Sequence, residues 1–388
     1  MRIAMFSDCY FPTINGVSTS IKVLTQSLLD NGHQVLLVIP DHPNALPESD
    51  AFFGSGVRIL RVPSKECKYH PDNRIVSPGM FYKWEPLREF SPEVIHIHTP
   101  FEMGKWGIKW GKKMRVPCVF TYHTMLEQYV HYVKMPHFIA VLYARRMSKS
   151  FCNKCQAVIA PSRYVANYLS SKLRVKRPIR VIPTGVPANM FTGGDMCEAA
   201  KYVPKVGATH LLYVGRLAKE KNLDFIWQAF ATLRPRYSAL RLLIVGDGPY
   251  REYLENLTKL MQLGDSIIFV GWQPREYLKH FYALARCLVF ASQTETQGLV
   301  LTEAQSAGVP VVAIRSGGVE ESVRDGASGY LVNPGDLNGF IERITRVIEN
   351  GDIFISMSRA ARAWANQFSC EQMAIQAYNC YREVTEKK

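Results

Sequence analysis

The chain has 388 residues, 47% hydrophobic and 11% aromatic, with a formal net charge of +14. That length favours two domains with packed cores, and no apolar run reaches the roughly eighteen residues of a membrane-spanning helix. Nine cysteines, Cys9, Cys67, Cys118, Cys152, Cys155, Cys197, Cys287, Cys370 and Cys380, are scattered. Cys152 and Cys155 form the only close pair and lack the second pair that zinc would need, so a structural or incidental role in a reducing cytosol is expected.

An apolar strand over Arg2–Asp8 opens the chain, too short and too soon acidic for a secretory signal. The loop Cys9–Val17 then leads into a helix. It contains no G-x-G-x-x-G, which argues against a dinucleotide site and a dehydrogenase. Asn15-Gly16 permits close backbone approach to a ligand, although a plain tight turn explains it equally well. Further strands are predicted at Gln34–Pro40, Val57–Pro63, Val94–His98, Cys118–Tyr122, Ala157–Ala160 and Arg180–Ile182. Between two of them, a helix through Gly104–Met114 sets Trp106 and Trp110 one turn apart, beside Lys105, Lys109, Lys112 and Lys113. Trp with Lys suits an anionic bilayer interface, a second basic run follows from Arg163 through Arg180, and a solvated helix face is the plainer reading of either run alone. His123 ends a strand in Thr121-Tyr122-His123-Thr124, a place where histidine is more often structural than catalytic. Residues 101–180 carry sixteen Lys and Arg against Glu102 and Glu127, the entire charge excess. Such asymmetry points to a polyanionic partner, lipid or nucleic acid. No RNA-binding or helix-turn-helix signature accompanies it.

The pattern falters over Thr192–Gly207, where Gly193-Gly194-Asp195 and Pro204 read as a linker. Strands then resume at His210–Gly215, Leu240–Gly246, Ile267–Gly271, Cys287–Ser292, Val311–Arg315 and Tyr330–Val332, before a helical tail. Strands alternating with helices predict an α/β fold of parallel sheets, with ligands at the C-terminal ends of the strands. Arg216 and Lys221 flank a strand-to-helix loop and supply a fork and a mobile charge suited to phosphate oxygens. Downstream, the strand Cys287–Ser292 runs into Thr294-Glu295-Thr296-Gln297-Gly298-Leu299-Val300-Leu301-Thr302-Glu303. Gly298 sits where a loop becomes a helix N-terminus, a place that favours a phosphate. Glu303 is positioned to accept hydrogen bonds from a ribose diol, and Glu295 to reach a sugar beyond the phosphates. Taken alone, both glutamates are also compatible with ordinary helix-start acids.

Glu295 through Glu303 resembles the E-x7-E signature of glycosyltransferase family 4, retaining enzymes of the GT-B fold, and the resemblance runs from residue 1 to about 385. The form Thr-Glu-Thr-Gln-Gly-Leu is most similar to the bacterial diacylglycerol glucosyltransferases, as is the extension Glu127–Tyr132, although Gln128 stands where relatives often carry Asp. The resemblance implies two facing Rossmann-like domains with a central cleft. The expected divisions are an acceptor- and membrane-facing domain over 1–190, a linker over 191–208, a nucleotide-sugar domain over 209–365 and a helix over 366–388 returning to the first domain. It implies a catalytic set of His123, Glu295, Arg216 and Lys221. The donor would be bound by Gly16, Arg216, Lys221, Gly298, Leu299, Val300 and Glu303, and the membrane face would be Trp106, Trp110, Lys105, Lys109, Lys112 and Lys113. No metal, cofactor, nucleic acid or protein nucleophile is expected. The expected reaction moves glucose from UDP-glucose to 1,2-diacylglycerol, by a peripheral protein on the cytoplasmic face of an anionic membrane. Another lipid, or a soluble sugar receiving a mannosyl or N-acetylhexosaminyl group, is the alternative acceptor. A nucleic-acid-binding Rossmann protein would explain the charge but leave Glu295, Glu303, Arg216 and Lys221 without a task.

Overall fold

A computed structural model describes residues 1–44, 57–66, 74–76, 85–132, 135–203 and 208–386. Cys67, Lys134 and Pro204 lie outside them. The chain forms two compact units, Met1–Gly185 with Cys370–Lys388, and Val186–Ser369.

The first unit is built on seven parallel strands: β1 (Arg2–Phe6), β2 (Gln34–Pro40), β3 (Val57–Val62), β6 (Val94–Ile97), β7 (Cys118–Thr121), β8 (Ala157–Ala160) and β9 (Ile179–Val181). Their order is β3-β2-β1-β6-β7-β8-β9, and a small antiparallel hairpin, β4 (Ser64–Glu66) with β5 (Arg74–Val76), stands apart. The central strands are buried on both faces, which is why they read as unbroken apolar runs. Strand order reverses between β1 and β6, so the loops after these strands diverge and leave a crevice at their C-terminal ends. Helix α1 (Gly16–Asp30) begins at that edge, capped by the Asn15 side chain, which accepts from Val17 and Ser18 N–H. Two more helices matter for the site, α2 (Glu102–Met114) and α3 (His137–Lys154).

Strands β10 (Thr209–Val214), β11 (Leu240–Val245), β12 (Ile267–Gly271), β13 (Ala285–Phe290), β14 (Val311–Ile314) and β15 (Gly329–Val332) make the parallel sheet of the second unit. Its order is β12-β11-β10-β13-β14-β15, so the reversal here falls between β10 and β13. Helices α4 (Leu223–Leu233) and α5 (Leu299–Ser306) follow those two strands.

The stretch read as a linker, 191–208, is different in the structure. Short helices at Ala188–Phe191 and Met196–Ala200 occupy its start, and Phe191 and Ala199 are buried in the core of the second unit. Asp195 caps the second of them through Cys197 N–H. A Cβ on Gly194 would lie 2.0 Å from the Lys279 carbonyl oxygen, so this glycine marks close packing, not a flexible joint. The units divide instead at Gly185 and Ser369. The last helix, α6 (Cys370–Glu386), belongs to the first unit. It buries Met373, Ala374, Ala377, Cys380 and Tyr381 against Ile3, Met5, Ile21 and Leu24. Each large apolar side chain so buried stabilises by about 1.5–3 kcal/mol relative to exposure.

Candidate active site

The reversal between β10 and β13 brings together two loops of the second unit. Gly215 N–H donates to the Val245 carbonyl at 3.0 Å and Leu217 N–H to that of Asp247 at 2.9 Å, pinning the β10 loop against the β11 loop. Only glycine fits the facing positions: a Cβ on Gly246 would lie 2.0 Å from the Gly215 oxygen, and one on Gly248 2.3 Å from the Leu217 oxygen. The β10 loop carries Arg216, then closes in a tight turn over Lys219–Lys221. Asn222 ends that turn in the left-handed region at φ 54° and ties it to the neighbouring strand, its Nδ2 donating to the Ala291 carbonyl at 3.3 Å.

The loop after β13 is held as firmly. Ser316 Oγ donates to the Ser292 carbonyl, Gly318 N–H to that of Glu295, and Ser322 Oγ to that of Gln297. These bonds fix Glu295 where Lys221 Nζ reaches its Oε1 at 2.6 Å, both side chains more than four-fifths buried. Burial pushes the Glu295 carboxyl up, but the charge and hydrogen bond of Lys221, with a hydrogen bond from Ser292, outweigh it and hold the group below the usual range. Arg216 lies 3.7 Å from Glu220. The structure therefore brings Lys221 and Glu295, far apart in sequence, into one ion pair.

Gly298 adopts φ 82° as the N-cap of α5 and offers no capping side chain. The first turn, with Leu299 and Val300, thus presents backbone N–H groups at the positive end of the helix dipole. Glu303, one turn on, is buried and bound to Arg275, whose Nε and Nη2 donate to Oε1 at 2.9 and 2.5 Å. Tyr282 donates to the other oxygen at 3.4 Å, and the Arg275 guanidinium lies 5.1 Å from the Phe191 ring centre. Sequence reasoning missed Arg275. It stands 28 residues before its partner, in the single helical turn Arg275–Tyr277 after β12, and no local pattern links the two.

In the first unit, the edge formed by β1, β6 and β7 carries three neutral imidazoles and one buried carboxyl. His98 Nδ1 and His123 Nε2 share a hydrogen bond of 3.0 Å. His96, one pleat back, is bonded to Thr121 and to Tyr381 of α6, each at 2.7 Å. Burial pushes the imidazoles of His96 and His123 down to about 3 and that of His98 well below its ordinary value. Asp8 accepts from Thr99 Oγ1 at 2.6 Å and Met103 N–H at 2.9 Å, and burial raises its carboxyl to about 6. Gly16 opens α1 at the same edge, and a Cβ there would meet nothing within 4 Å, so the space above it is open. His96 and His98 went unnoticed because a histidine inside an apolar strand reads as core.

The expected membrane face needs a correction. Lys105, Lys109, Lys112 and Lys113 are exposed along α2, but Trp110 is only 4% exposed and lies in the core with Ile95, Ile108 and Phe120. Trp106 is half-buried against that core, under Lys109 Nζ at 4.4 Å from its ring centre. Glycine explains the orientation. Gly104, Gly107 and Gly111 make one stripe, and Cβ atoms on them would fall 2.0 Å from the Thr99 oxygen, 3.0 Å from Ile97 Cγ1 and 2.3 Å from Cys118 Sγ. That stripe must face the sheet, and it carries Trp110 inward. The helix presents lysines to solvent, with Trp110 withdrawn into the core and Trp106 half-buried. Cys152 and Cys155 are also buried, with their thiols pushed up by burial, Cys152 to about 12. Among the described residues, no helix is long and apolar enough to cross a membrane, and no three His, Cys, Asp or Glu side chains cluster as metal ligands.

Comparison with known proteins agrees with this architecture. Residues 14–189 match the family described as Glycosyltransferase Family 4, and residues 198–364 that described as Glycosyl transferases group 1. The alpha-monoglucosyldiacylglycerol synthase of Streptococcus pneumoniae is 31% identical over 81% of this chain and 71% of its own length. The enzyme of the same name from Acholeplasma laidlawii is 28% identical over 100% of this chain and 98% of its own length. Among solved structures, sucrose-phosphate synthase from Thermosynechococcus elongatus superposes with a TM-score of 0.81 at 24% identity, covering 100% of both chains, a likeness of fold. With its two Rossmann-like units and matches over both halves, this chain belongs to the family 4 glycosyltransferases of the GT-B fold.

Proposed function

We propose that this glycosyltransferase moves glucose from UDP-glucose to 1,2-diacylglycerol at an anionic membrane surface, with retention at the anomeric carbon. The observation that carries the reading is the Lys221–Glu295 ion pair beside the uncapped N-terminus of α5. Negative charge grows on the donor's β-phosphate as the glycosyl bond breaks, and a pre-placed cation with oriented N–H groups stabilises that charge more than it stabilises the ground state. Lys221 and Arg216 supply the cations, so the leaving group needs no metal. Glu295 holds Lys221 in place and faces the sugar hydroxyls. Glu303, kept in position by Arg275, takes the ribose diol. In the first unit, the space above Gly16 is open and His123 is neutral, suited to exchanging hydrogen bonds with an uncharged hydroxyl. No side chain acts as nucleophile. The departing phosphate takes the acceptor's proton on the face from which it leaves, and the protein's part is positioning and charge stabilisation. The acceptor reading rests on the two synthases to which the chain is similar along most of its length. The exposed lysines of α2 add a cationic surface for an anionic leaflet.

The test is purified protein incubated with a panel of nucleotide sugars and diacylglycerol in mixed micelles, with products separated and their anomeric configuration read by proton NMR. The expected product is α-glucosyl diacylglycerol from UDP-glucose, formed equally well with a chelator present. Preference for another nucleotide sugar overturns the donor. Transfer only to other lipids or soluble sugars overturns the acceptor, and loss of activity with chelator overturns the metal-free account.

A further inference from the structure

Helix α3 is built inside out. Its inward face carries Ala140, Ala144 and Ser148, while Phe138, Leu142 and Tyr143 face solvent at 73, 67 and 63% exposure. Ile139 and the preceding Met135 are 40 and 44% exposed. A surface helix ordinarily turns its large apolar side chains to the core, and single exposed ones are common, but five within nine residues form a patch. The same helix has no acidic residue, and Arg146 and Lys149 follow the patch within its next two turns. Its mooring does not use the patch: Arg145 donates to Glu127 through both Nε and Nη2, and Tyr168 donates to the same carboxylate.

We propose that the outward face of α3 is the surface by which the protein seats on an anionic bilayer. The partner is read from the order of chemistry along the helix. Nearly two turns of apolar side chains enter the acyl boundary, and the cations that follow within the next two turns meet the phosphates. The positive charge excess concentrated in residues 101–180 complements the same surface. The exposed lysines of α2 add long-range attraction, whereas α3 supplies the large exposed apolar side chains that α2, with Trp110 buried and Trp106 half-buried, does not. This inference rests on the proposed lipid acceptor only in that a membrane-borne substrate gives the seat its purpose.

The experiment compares the full chain with the double variant Phe138→Ser/Leu142→Ser, neither residue being part of the donor site. Sedimentation with vesicles of phosphatidylglycerol mixed with phosphatidylcholine reads binding. Melting temperature and the slow hydrolysis of UDP-glucose in solution confirm that fold and donor site are intact. Partition onto these vesicles is expected to fall at least about tenfold, because two large apolar side chains no longer leave water on binding. Wild type is expected to bind purely neutral vesicles much more weakly. Unchanged partition of the double variant overturns the proposal. So does a wild-type dimer that the double variant converts to monomer without loss of vesicle binding, since the occupant is then a second copy. Transfer to diacylglycerol in detergent micelles, measured in parallel, separates the two readings. Wild type failing there sinks the acceptor assignment, whereas normal micelle activity with unchanged vesicle binding sinks only the seat on α3.

Discussion

At the C-terminal edge of the second sheet, the polar groups are ions in pairs: Lys221 with Glu295, and Arg275 with Glu303. At the same edge of the first sheet the three imidazoles are neutral: burial keeps His96, His98 and His123 from taking up a second proton, and the one carboxyl there, Asp8, has no cationic partner among the described residues and is raised by burial to about 6. Both edges arise from the same device, a reversal of strand order that opens a crevice where two loops part. Buried ions resist desolvation only when paired, so a site for a dianionic ligand must carry its cations pre-matched to acids. A site for uncharged hydroxyls works best with groups that donate and accept without net charge. Chemistry, not fold, separates the two edges.

The largest test of this contrast lies on the ionic side. If Lys221 has the proposed role, Lys221→Ala removes the cation that meets the growing phosphate charge, and kcat for transfer is expected to fall by about a hundred- to a thousandfold, with a much smaller change in acceptor KM. Steady-state kinetics with varied acceptor check this. A variant that loses only affinity would place Lys221 in ground-state binding.

Arg275→Ala sharpens the comparison next. It leaves the buried Glu303 carboxylate without its counter-ion, at a cost of about 3 kcal/mol in stability, read by denaturant unfolding. Pairing Arg275→Ala with Glu303→Gln is expected to restore much of that loss while UDP affinity, read by calorimetry, stays weak. If the double variant binds UDP as wild type does, Glu303 does not hold the ribose.

The smallest effect belongs to the neutral side and depends on pH. The His96 imidazole is held near 3 in the folded protein against an ordinary 6.5, so its neutral form contributes stability above pH 6.5 that is lost as pH falls toward 3. Between pH 7 and 5 this one residue accounts for a loss of about 2 kcal/mol. His96→Gln is expected to make the stability–pH slope shallower by that amount, whatever it does to stability at neutral pH. An unchanged slope would mean that His96 takes up its proton in the native state.

How much of this could be read from the sequence follows from what each signal measures. Unbroken apolar runs mark strands buried on both faces, and the thirteen expected strands coincide with the seven and six of the two parallel sheets, ends aside. Glycine misled at Gly193-Gly194, where close packing against Lys279 looks like flexibility. It would have guided at Gly104, Gly107 and Gly111, whose shared stripe shows which way α2 faces and so where Trp110 points. Pairings such as Arg275–Glu303 and Tyr381–His96 depend on strand order and on where the last helix returns, and neither leaves a local trace in composition. The apolar outer face of α3 was illegible for a related reason: Phe-Ile-Ala-Val-Leu-Tyr looks like core until one knows that the alanines point inward.

The return of α6 bears on the order in which the protein is made. Synthesis delivers the seven strands of the first unit by residue 185, but Ile3, Met5 and Leu24 stay uncovered until residues 370–386 have emerged, after the whole second unit. The half that is translated first is therefore the half that is finished last. The nascent chain must carry an open apolar face through nearly two hundred further residues. A ribosome that stops short of Cys370 would release a second unit with its sequence complete, joined to a first unit that lacks one wall and the Tyr381 hydroxyl that meets His96.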